Sequence, residues 1–372
     1  MEPLLAFFIF TLLFYLFFLG RIKRGISKVK KPVDFSSGTK SVTVLIPFRN
    51  EAANLPGLIQ DIIALDIEDI EFEVILVNDH SDDDWTAAKA IVSEHPRIKF
   101  IDQKNGVEGK KKAIELGVSL ASGELILITD ADCHLNRGWV RSLVSRFDEK
   151  TGFVAGTVRY RAGNSFFERF QALEFGGLWL AGAGLAGSGS PVICSAASMA
   201  FRKNLFFKVD GFRDNIQFAS GDDEFLMRAI HRLGYDVKFV LEKESAVETN
   251  PGSDIKSFAE QRSRWASKSL FYEDFALVAQ LMIIFFFYLS LMVALPLMVP
   301  FGEPFAVYFL CSLLLKSMAE YRILREGEGI LYQKVTAGFL MKAELVQIPY
   351  ILYAAISGVF GGFNWKGREY KR

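Results

Sequence analysis

The chain has 372 residues, of which 51% are hydrophobic and 35 are phenylalanine. That is too apolar for a purely soluble enzyme, and long enough for one large domain plus smaller elements. Its 43 basic and 43 acidic side chains cancel, removing the basic excess that nucleic-acid binding requires, and three distant cysteines, Cys133, Cys194 and Cys311, give neither a disulfide framework nor a zinc site.

Residues 4–19 form a nearly unbroken apolar run, at the short end of what spans a bilayer. Only Met1-Glu2-Pro3 precedes it, without the basic start of a signal peptide, and Arg21, Lys23, Arg24, Lys28, Lys30 and Lys31 follow. Residues 1–20 are therefore expected to be a transmembrane anchor with its N-terminus outside, and 21–39 a basic linker suited to anionic headgroups. The domain that follows is expected in the cytoplasm, at the inner membrane in a bacterium.

A strand at 42–47 (V-T-V-L-I-P) runs into Phe48-Arg49-Asn50-Glu51, and a second at 72–77 (F-E-V-I-L-V) ends in Asn78-Asp79-His80-Ser81-Asp82-Asp83. A third, at 125–128 (L-I-L-I), ends in Thr129-Asp130-Ala131-Asp132. The unbroken apolar run at 125–128 suits a strand buried on both faces. Helical periodicity at 55–65, 85–94 and 110–120 predicts the order β-α-β-α-β-α-β, a largely parallel sheet and all three polar tips on one edge. Open α/β sheets bind ligands beyond that edge. Two carboxylates spaced D-x-D there suit a hard divalent ion and a nucleotide diphosphate; a plain polar turn is the alternative. Cys133 reads as a buried thiol, and His134 beside it as no metal ligand.

Further on, a helical stretch at 170–180 leads into the glycine-rich 182–190. That segment lacks the Lys-Ser or Lys-Thr of a P-loop and is expected to be a flexible acceptor-side loop. A helix is expected at 222–233, opened by Asp222, Asp223 and Glu224. An amphipathic helix at 257–270 sets Phe258, Trp265 and Leu270 against Gln261, Arg262, Arg264 and Lys268, the pattern of a helix in the membrane interface. Residues 277–299 are long enough to cross a bilayer, 305–315 are short, and Lys342 and Glu344 precede the apolar 345–363 with charges costly at the bilayer centre. The tail 364–372 is basic and reads as cytoplasmic, whereas three full crossings would leave it outside. One of these stretches is thus expected to be interfacial or re-entrant, with the choice open.

The strings V-T-V-L-I-P-F-R-N-E, V-N-D-H-S-D-D, G-K-K-K-A and T-D-A-D resemble the nucleotide-sugar half of glycosyltransferase family 2, inverting enzymes of the GT-A fold. Gly211-Phe212 followed by Gly221-Asp222-Asp223 resembles the family's acceptor segment. Gln261-Arg262-Ser263-Arg264-Trp265 fits the Q-x-x-R-W motif of its membrane-bound members, ceramide-type glucosyltransferases among them. The resemblance implies an α/β GT-A catalytic domain, a Rossmann-like mixed sheet, with N-terminal and C-terminal transmembrane helices. Expected boundaries are 40–272 for that domain, divided into a nucleotide-sugar half (40–134), an acceptor half (135–250) and an interfacial helix (253–270). Transmembrane or re-entrant segments follow at 275–363 and the basic tail at 364–372.

The resemblance assigns Asp79 to the nucleotide base, with Pro47 and Glu51 in the same pocket, Lys110 to the ribose or phosphates, and Asp130 to the ribose or a metal-bound water. A helix cap for Asp79 and a solvated lysine for Lys110 are the bland alternatives. Asp132, with Asp130 beside it, is expected to hold Mg²⁺ or Mn²⁺. An acceptor hydroxyl needs a carboxylate to take its proton, and the motif sets Asp223 at the family's base position. Asp222 or Glu224 as the proton carrier, or all three acids as mere charge in a helix's first turn, stay open. Similarity also sets Arg264 near the diphosphate and Trp265 under the acceptor sugar or lipid, with Gln261 in the same acceptor and diphosphate group, where a plain interfacial anchor explains the same residues.

The expected activity is that of a metal-dependent inverting glycosyltransferase in the membrane, serving cell-envelope or glycolipid biosynthesis. Its donor would be UDP- or GDP-linked and its acceptor a membrane lipid or a lipid-linked or polysaccharide chain, with no nucleic-acid partner. Few membrane segments favour a single transfer over a processive polysaccharide synthase. A membrane nucleotidyltransferase would leave 261–265 without a role, and a non-catalytic scaffold would not need Asp132 and Asp223.

Overall fold

The structure, a computed structural model, describes residues 2–29, 41–103, 108–161, 163–213, 221–361, 363–365 and 368–370. Lys30, Lys31 and the rest of the expected linker, with Lys366, Gly367, Lys371 and Arg372 of the tail, lie outside the described residues. The first half of the chain gives α1 (Glu2–Val29), β1 (Ser41–Phe48), α2 (Leu55–Ile63), β2 (Glu71–Asn78), α3 (Thr86–Ser93), β3 (Ile98–Asp102), α4 (Lys110–Leu120) and β4 (Leu125–Ile128). There follow α5 (Trp139–Val144), β5 (Thr151–Ala155), β6 (Val158–Tyr160), α6 (Phe166–Gly187), β7 (Met199–Arg202), α7 (Lys203–Lys208), α8 (Glu224–Arg232), β8 (Asp236–Phe239) and β9 (Val247–Thr249). Helices α9 (Ile255–Ala266), α10 (Phe275–Phe301), α11 (Glu303–Leu324) and α12 (Ala337–Phe360) and the ribbon strands β10 (Phe363–Trp365) and β11 (Arg368–Tyr370) close the chain.

Two compact units result. A sheet unit holds Arg24–Pro251 with Gly329–Gln333, and a helical unit holds Met1–Lys23, Gly252–Glu328 and Lys334–Arg372. This corrects two expected boundaries. Residues 252–271 belong with the helices and not with the 40–272 domain, and α1 runs as one helix through the boundary drawn at residue 20.

The sheet unit is built on seven strands in the order β3-β2-β1-β4-β7-β5-β8. β3, β2, β1 and β4 are mutually parallel, β7 is antiparallel to β4 and β5, and β8 is parallel to β5, so the sheet is mixed. Val44, Leu45, Ile46 and the whole of β4 are fully buried, as strands covered on both faces require. Pro47 is tolerated in the central strand because of its register. Phe48 turns its carbonyl to β2, where Asp79 N donates to it at 2.8 Å, so Pro47 turns the other way, toward β4, which ends at Ile128 opposite Leu45. Its missing N–H removes no ladder bond.

The glycine-rich segment expected as a loop is the last part of α6, helical through Gly187. Its small residues permit close approach. A Cβ on Gly182 would meet Ile193 O at 2.5 Å, and one on Gly25 would collide with Gly184 O. Glycine here serves close backbone contact, with the segment after α6 at Gly182 and with α1 at Gly184, not loop freedom.

In the helical unit α1, α10 and α12 are long and apolar enough to cross a membrane. The stretch expected at 305–315 is part of the 22-residue α11. Tyr308, Ser312, Lys316 and Glu320, spaced four apart on α11, are all buried, which makes one inward polar stripe. Lys316 Nζ lies 2.9 Å from Glu320 and 2.8 Å from Gln347 Oε1, and it also pairs with Glu344. Tyr15 and Tyr288 donate to Glu320 at 2.5 and 3.3 Å. Of the two charges that argued against a crossing, Glu344 is buried and paired with Lys316, while Lys342 is exposed.

Candidate active site

The tips of β1, β2 and β4 lie on one sheet edge. At two of them Asn50 and His80 hold left-handed backbone, with φ of 55° and 57°, a conformation that surrounding bonds must over-determine. Those bonds run from tip to tip. Asn50 N donates to Ser81 Oγ at 2.9 Å, Asp82 N to Asn50 Oδ1 at 2.8 Å, and Ala52 N to Asp83 Oδ2 at 2.7 Å. Glu51 accepts from Asn54 Nδ2 at 2.6 Å just ahead of α2. Asp79, buried at the end of β2, accepts from Gly109 N at 2.9 Å. Gly109 can aim that N–H because it holds a φ of 136°, open to glycine at little cost. Asp79 therefore anchors the start of α4, while the N-cap position of α3 belongs to Trp85.

α4 opens with Lys110, Lys111 and Lys112 and no acid, against the sign its N-terminal dipole favours. Each lysine finds compensation. Lys112 pairs with Glu115 at 2.7 Å, and buried Lys111 lies 5.9 and 5.8 Å from the rings of Phe212 and Phe225. Lys110 Nζ bridges two carboxylates, Asp130 Oδ1 at 2.6 Å and Asp222 Oδ2 at 3.0 Å. Burial works against the Lys110 ammonium, yet Asp130 and Asp222 together hold its proton well above the usual lysine range. Burial likewise pushes Asp222 up, but Lys110 and then Lys111 pull it below its ordinary value. Residues 110, 130 and 222, far apart in sequence, meet here.

The three consecutive acids separate by environment. Asp222 and Glu224 are 8% and 4% exposed, while Asp223 is partly exposed. Asp223 is the N-cap of α8, with Oδ1 accepting from Glu224 N at 2.7 Å. Its Oδ2 accepts from Ala196 N at 3.2 Å, which ties α8 to the segment between α6 and β7. The helix expected from Asp222 thus begins after Asp223.

Asp132 is exposed at the tip of β4, and the Asp130 side chain is 33% exposed. Among the described residues no three His, Cys, Asp or Glu side chains converge into a metal cage. The oxygen donors present still fit Mg²⁺ or Mn²⁺, because such ions beside a nucleotide take one or two carboxylates and complete their shell with phosphate oxygens and water. His134 serves elsewhere: its Nδ1 lies 3.0 Å from Asp61 Oδ2, which also accepts from Leu135 N at 3.1 Å. Burial, then the charges of Asp130 and Asp132, push the Cys133 thiol well above its ordinary range, so it is an inert thiol.

Gln261, Arg264 and Trp265 lie on α9, in the helical unit. Arg262, expected on its polar face, is buried instead. Its guanidinium lies 4.5 Å from the Phe258 ring and 4.3 Å from the Trp265 ring, a cation–π arrangement that holds the tryptophan. Helical periodicity does not distinguish a stacked arginine from a solvated one, so no sequence signal marked it. Pro47, Glu51, Asp79, Lys110, Asp130, Asp132, Asp222 and Asp223 all fall in the sheet unit.

A mixed sheet whose parallel half ends in a D-x-D, and whose antiparallel half brings a second acidic motif toward it, defines the GT-A class of nucleotide-sugar folds. Residues 43–209, within the sheet unit, match the family described as Glycosyl transferase family 2. A probable glycosyltransferase of Bacillus subtilis (strain 168), YdaM, is 28% identical over 235 residues, 60% of this chain and 54% of its own length. The undecaprenyl-phosphate 4-deoxy-4-formamido-L-arabinose transferase of Enterobacter sp. (strain 638) is 32% identical over 131 residues, 34% of this chain and 39% of its own. The chain thus spans about half or less of these relatives. The solved mannosyltransferase PcManGT from Pyrobaculum calidifontis, in complex with GDP-Man and Mn²⁺, shares the fold at a TM-score of 0.59 and 18% identity, over 96% of this chain and 97% of its own.

Proposed function

We propose that this protein is a metal-dependent, inverting glycosyltransferase that moves a sugar from a nucleoside-diphosphate donor to a membrane lipid or lipid-linked acceptor. The observation that carries this reading is the Lys110 bridge between Asp130 and Asp222, beside Asp132 and Asp223. It gathers a cation for a departing diphosphate and an acid for an arriving acceptor on one edge.

Asp79, Pro47 and Glu51 shape the pocket for the nucleotide base. Lys110 meets the phosphates at the N-terminus of α4, where the backbone also favours anions. Asp132 and Asp130 would hold Mg²⁺ or Mn²⁺, which when bound offsets the charge that grows on the diphosphate. Asp223, the partly exposed acid of the three, takes the acceptor proton, and attack opposite the leaving group inverts the anomeric carbon. Gln261 and Arg264 serve the diphosphate and Trp265 the acceptor, with Arg262 holding the Trp265 ring. The relative that acts with undecaprenyl phosphate supports a lipid phosphate as acceptor, and the fold neighbour bound to GDP-Man supports a GDP-linked donor. A helical unit whose interior is filled by Tyr15, Tyr288, Lys316, Glu320 and Glu344 supports one transfer per acceptor over extrusion of a polymer.

The test is nucleoside diphosphate release from a panel of UDP- and GDP-sugars with membrane lipid extract present, with the labelled sugar followed into the lipid phase. Release coupled to lipid labelling is expected with one donor, and Arg264→Lys and Trp265→Leu should each lower it about tenfold, or roughly 1.4 kcal/mol, while staying in the membrane. Absence of release across the panel would overturn the reading. Full activity in both variants would reduce α9 to an anchor.

Chain path supports a topology. The chain leaves the sheet unit after Pro251 and is back in it at Gly329, where Arg159 Nη1 donates to Ile330 O at 3.1 Å. An even number of crossings between these points is supported by reading α10 and α11 as a hairpin, with the apolar Val307, Leu310 and Leu314 of α11 turned outward. α12 packs along α9, with Phe258 5.1 Å from Tyr350 and Ser263 bonded to Ser357, which supports α12 as the interfacial stretch, with the tail on the cytoplasmic side. In a variant without the native cysteines, Glu303→Cys should react with an impermeant thiol reagent in intact cells, and Lys334→Cys and Gly361→Cys only after lysis. Labelling of Lys334→Cys in intact cells refutes the hairpin, and labelling of Gly361→Cys makes α12 a full crossing.

A further inference from the structure

The Lys110 ammonium lies 2.6 Å from Asp130 Oδ1, one of the two carboxylates that would hold the metal. Its stem rises from the first residue of α4, whose start is fixed by the Asp79 bond to Gly109 N. Asp130 sits just past the end of β4, and Asp222 receives the same ammonium from the acceptor side at 3.0 Å. The three side chains are 22%, 33% and 11% exposed, so solvent screens them only in part. Lys111 cannot stand in for Lys110, being buried against Phe212 and Phe225.

We propose that Lys110 is a positioning residue that makes metal binding conditional on the nucleotide: before the donor arrives its ammonium occupies Asp130, and only a diphosphate lets both cations share the tip of β4. The inference rests on the donor-site reading above and deepens it. A divalent ion on Asp130 would face a fixed ammonium a few ångströms away in a weakly screened site, and like charges there repel strongly. The negative charges of a diphosphate satisfy ammonium and ion together. Lys110 then turns from Asp130 toward the phosphates, and Asp222 loses its partner, so arrival of the donor is felt at the acceptor motif. Linkage makes the effect reciprocal: the nucleotide strengthens the metal by the factor by which the metal strengthens the nucleotide.

The experiment is a Mn²⁺ titration followed by electron paramagnetic resonance, on the full chain in nanodiscs, with and without UDP or GDP. The wild type is expected to bind Mn²⁺ weakly alone and about a hundredfold more tightly with the diphosphate it accepts. Lys110→Met should bind Mn²⁺ alone about tenfold or more tightly than the wild type, and the gain from the nucleotide should shrink, whereas Lys110→Arg should keep the wild-type pattern. Should Lys110→Met fail to fold, Lys110→Gln carries the same comparison. Wild-type coupling that survives unchanged in Lys110→Met or Lys110→Gln overturns the conditional role alone. A wild type that takes up neither UDP nor GDP with Mn²⁺ overturns the donor-site reading and this inference with it.

Discussion

Asp223→Asn is expected to lower sugar transfer by about 10²–10⁴-fold while nucleoside diphosphate binding stays intact, the range by which a positioned general base accelerates a reaction. The environments of the three acids carry this expectation. Asp222 is committed to Lys110 and Glu224 is buried in the first turn of α8, while Asp223 keeps partial exposure. Asparagine retains volume and one oxygen for the Glu224 N–H at the cap. It offers Ala196 N–H a donor in place of an acceptor, which costs about 0.5–1.5 kcal/mol of stability and leaves the protein folded. Single-turnover transfer with a pre-bound donor reads the chemical step apart from binding. Asp222→Asn should lower that step less, acting through Lys110. If Asp222→Asn proves the more damaging in transfer, the base has been misassigned by one residue.

Asp132→Asn is expected to remove the metal-dependent part of nucleoside diphosphate binding, weakening it about tenfold or more, a loss of at least roughly 1.4 kcal/mol. An amide is a poorer ligand than a carboxylate for a hard cation and no longer balances its charge. Asp132 is exposed, so its replacement leaves the buried strand beneath it unchanged. Calorimetry with UDP or GDP in Mn²⁺, repeated in a chelator, separates the contributions: the variant should match the wild type in chelator and differ in Mn²⁺. Equal affinity in Mn²⁺ removes Asp132 from the metal site.

Local order explains which elements were legible. β4 is an unbroken apolar run, and β1 and β2 largely apolar ones, because both faces are covered along most of their length, and that pattern needs no knowledge of partners. β3 is a five-residue edge strand with only Ile98 fully buried, and the short β5 to β9 carry three to five residues each, too few to show a period. The glycine-rich end of α6 misled for the opposite reason. Glycine signals loop freedom by default, and the backbone of Gly25 that demands it lies more than a hundred residues away in sequence.

By itself the sequence determined the alternation of strands and helices, the D-x-D at a strand tip, the second acidic motif and the apolar helices. Each is a property of neighbouring residues: hydrophobic period, turn chemistry and charge spacing. Only the tertiary structure decided which of Asp222, Asp223 and Glu224 stays accessible, and that Lys110 joins Asp130 to Asp222. It also turned the polar residues of α11 inward against Tyr15, Tyr288 and Glu344. The physical reason is common to all of these. Burial and ion pairing act over a few ångströms between residues tens to hundreds of positions apart, and the free energy of a charged side chain is set by those partners and not by its neighbours in the chain.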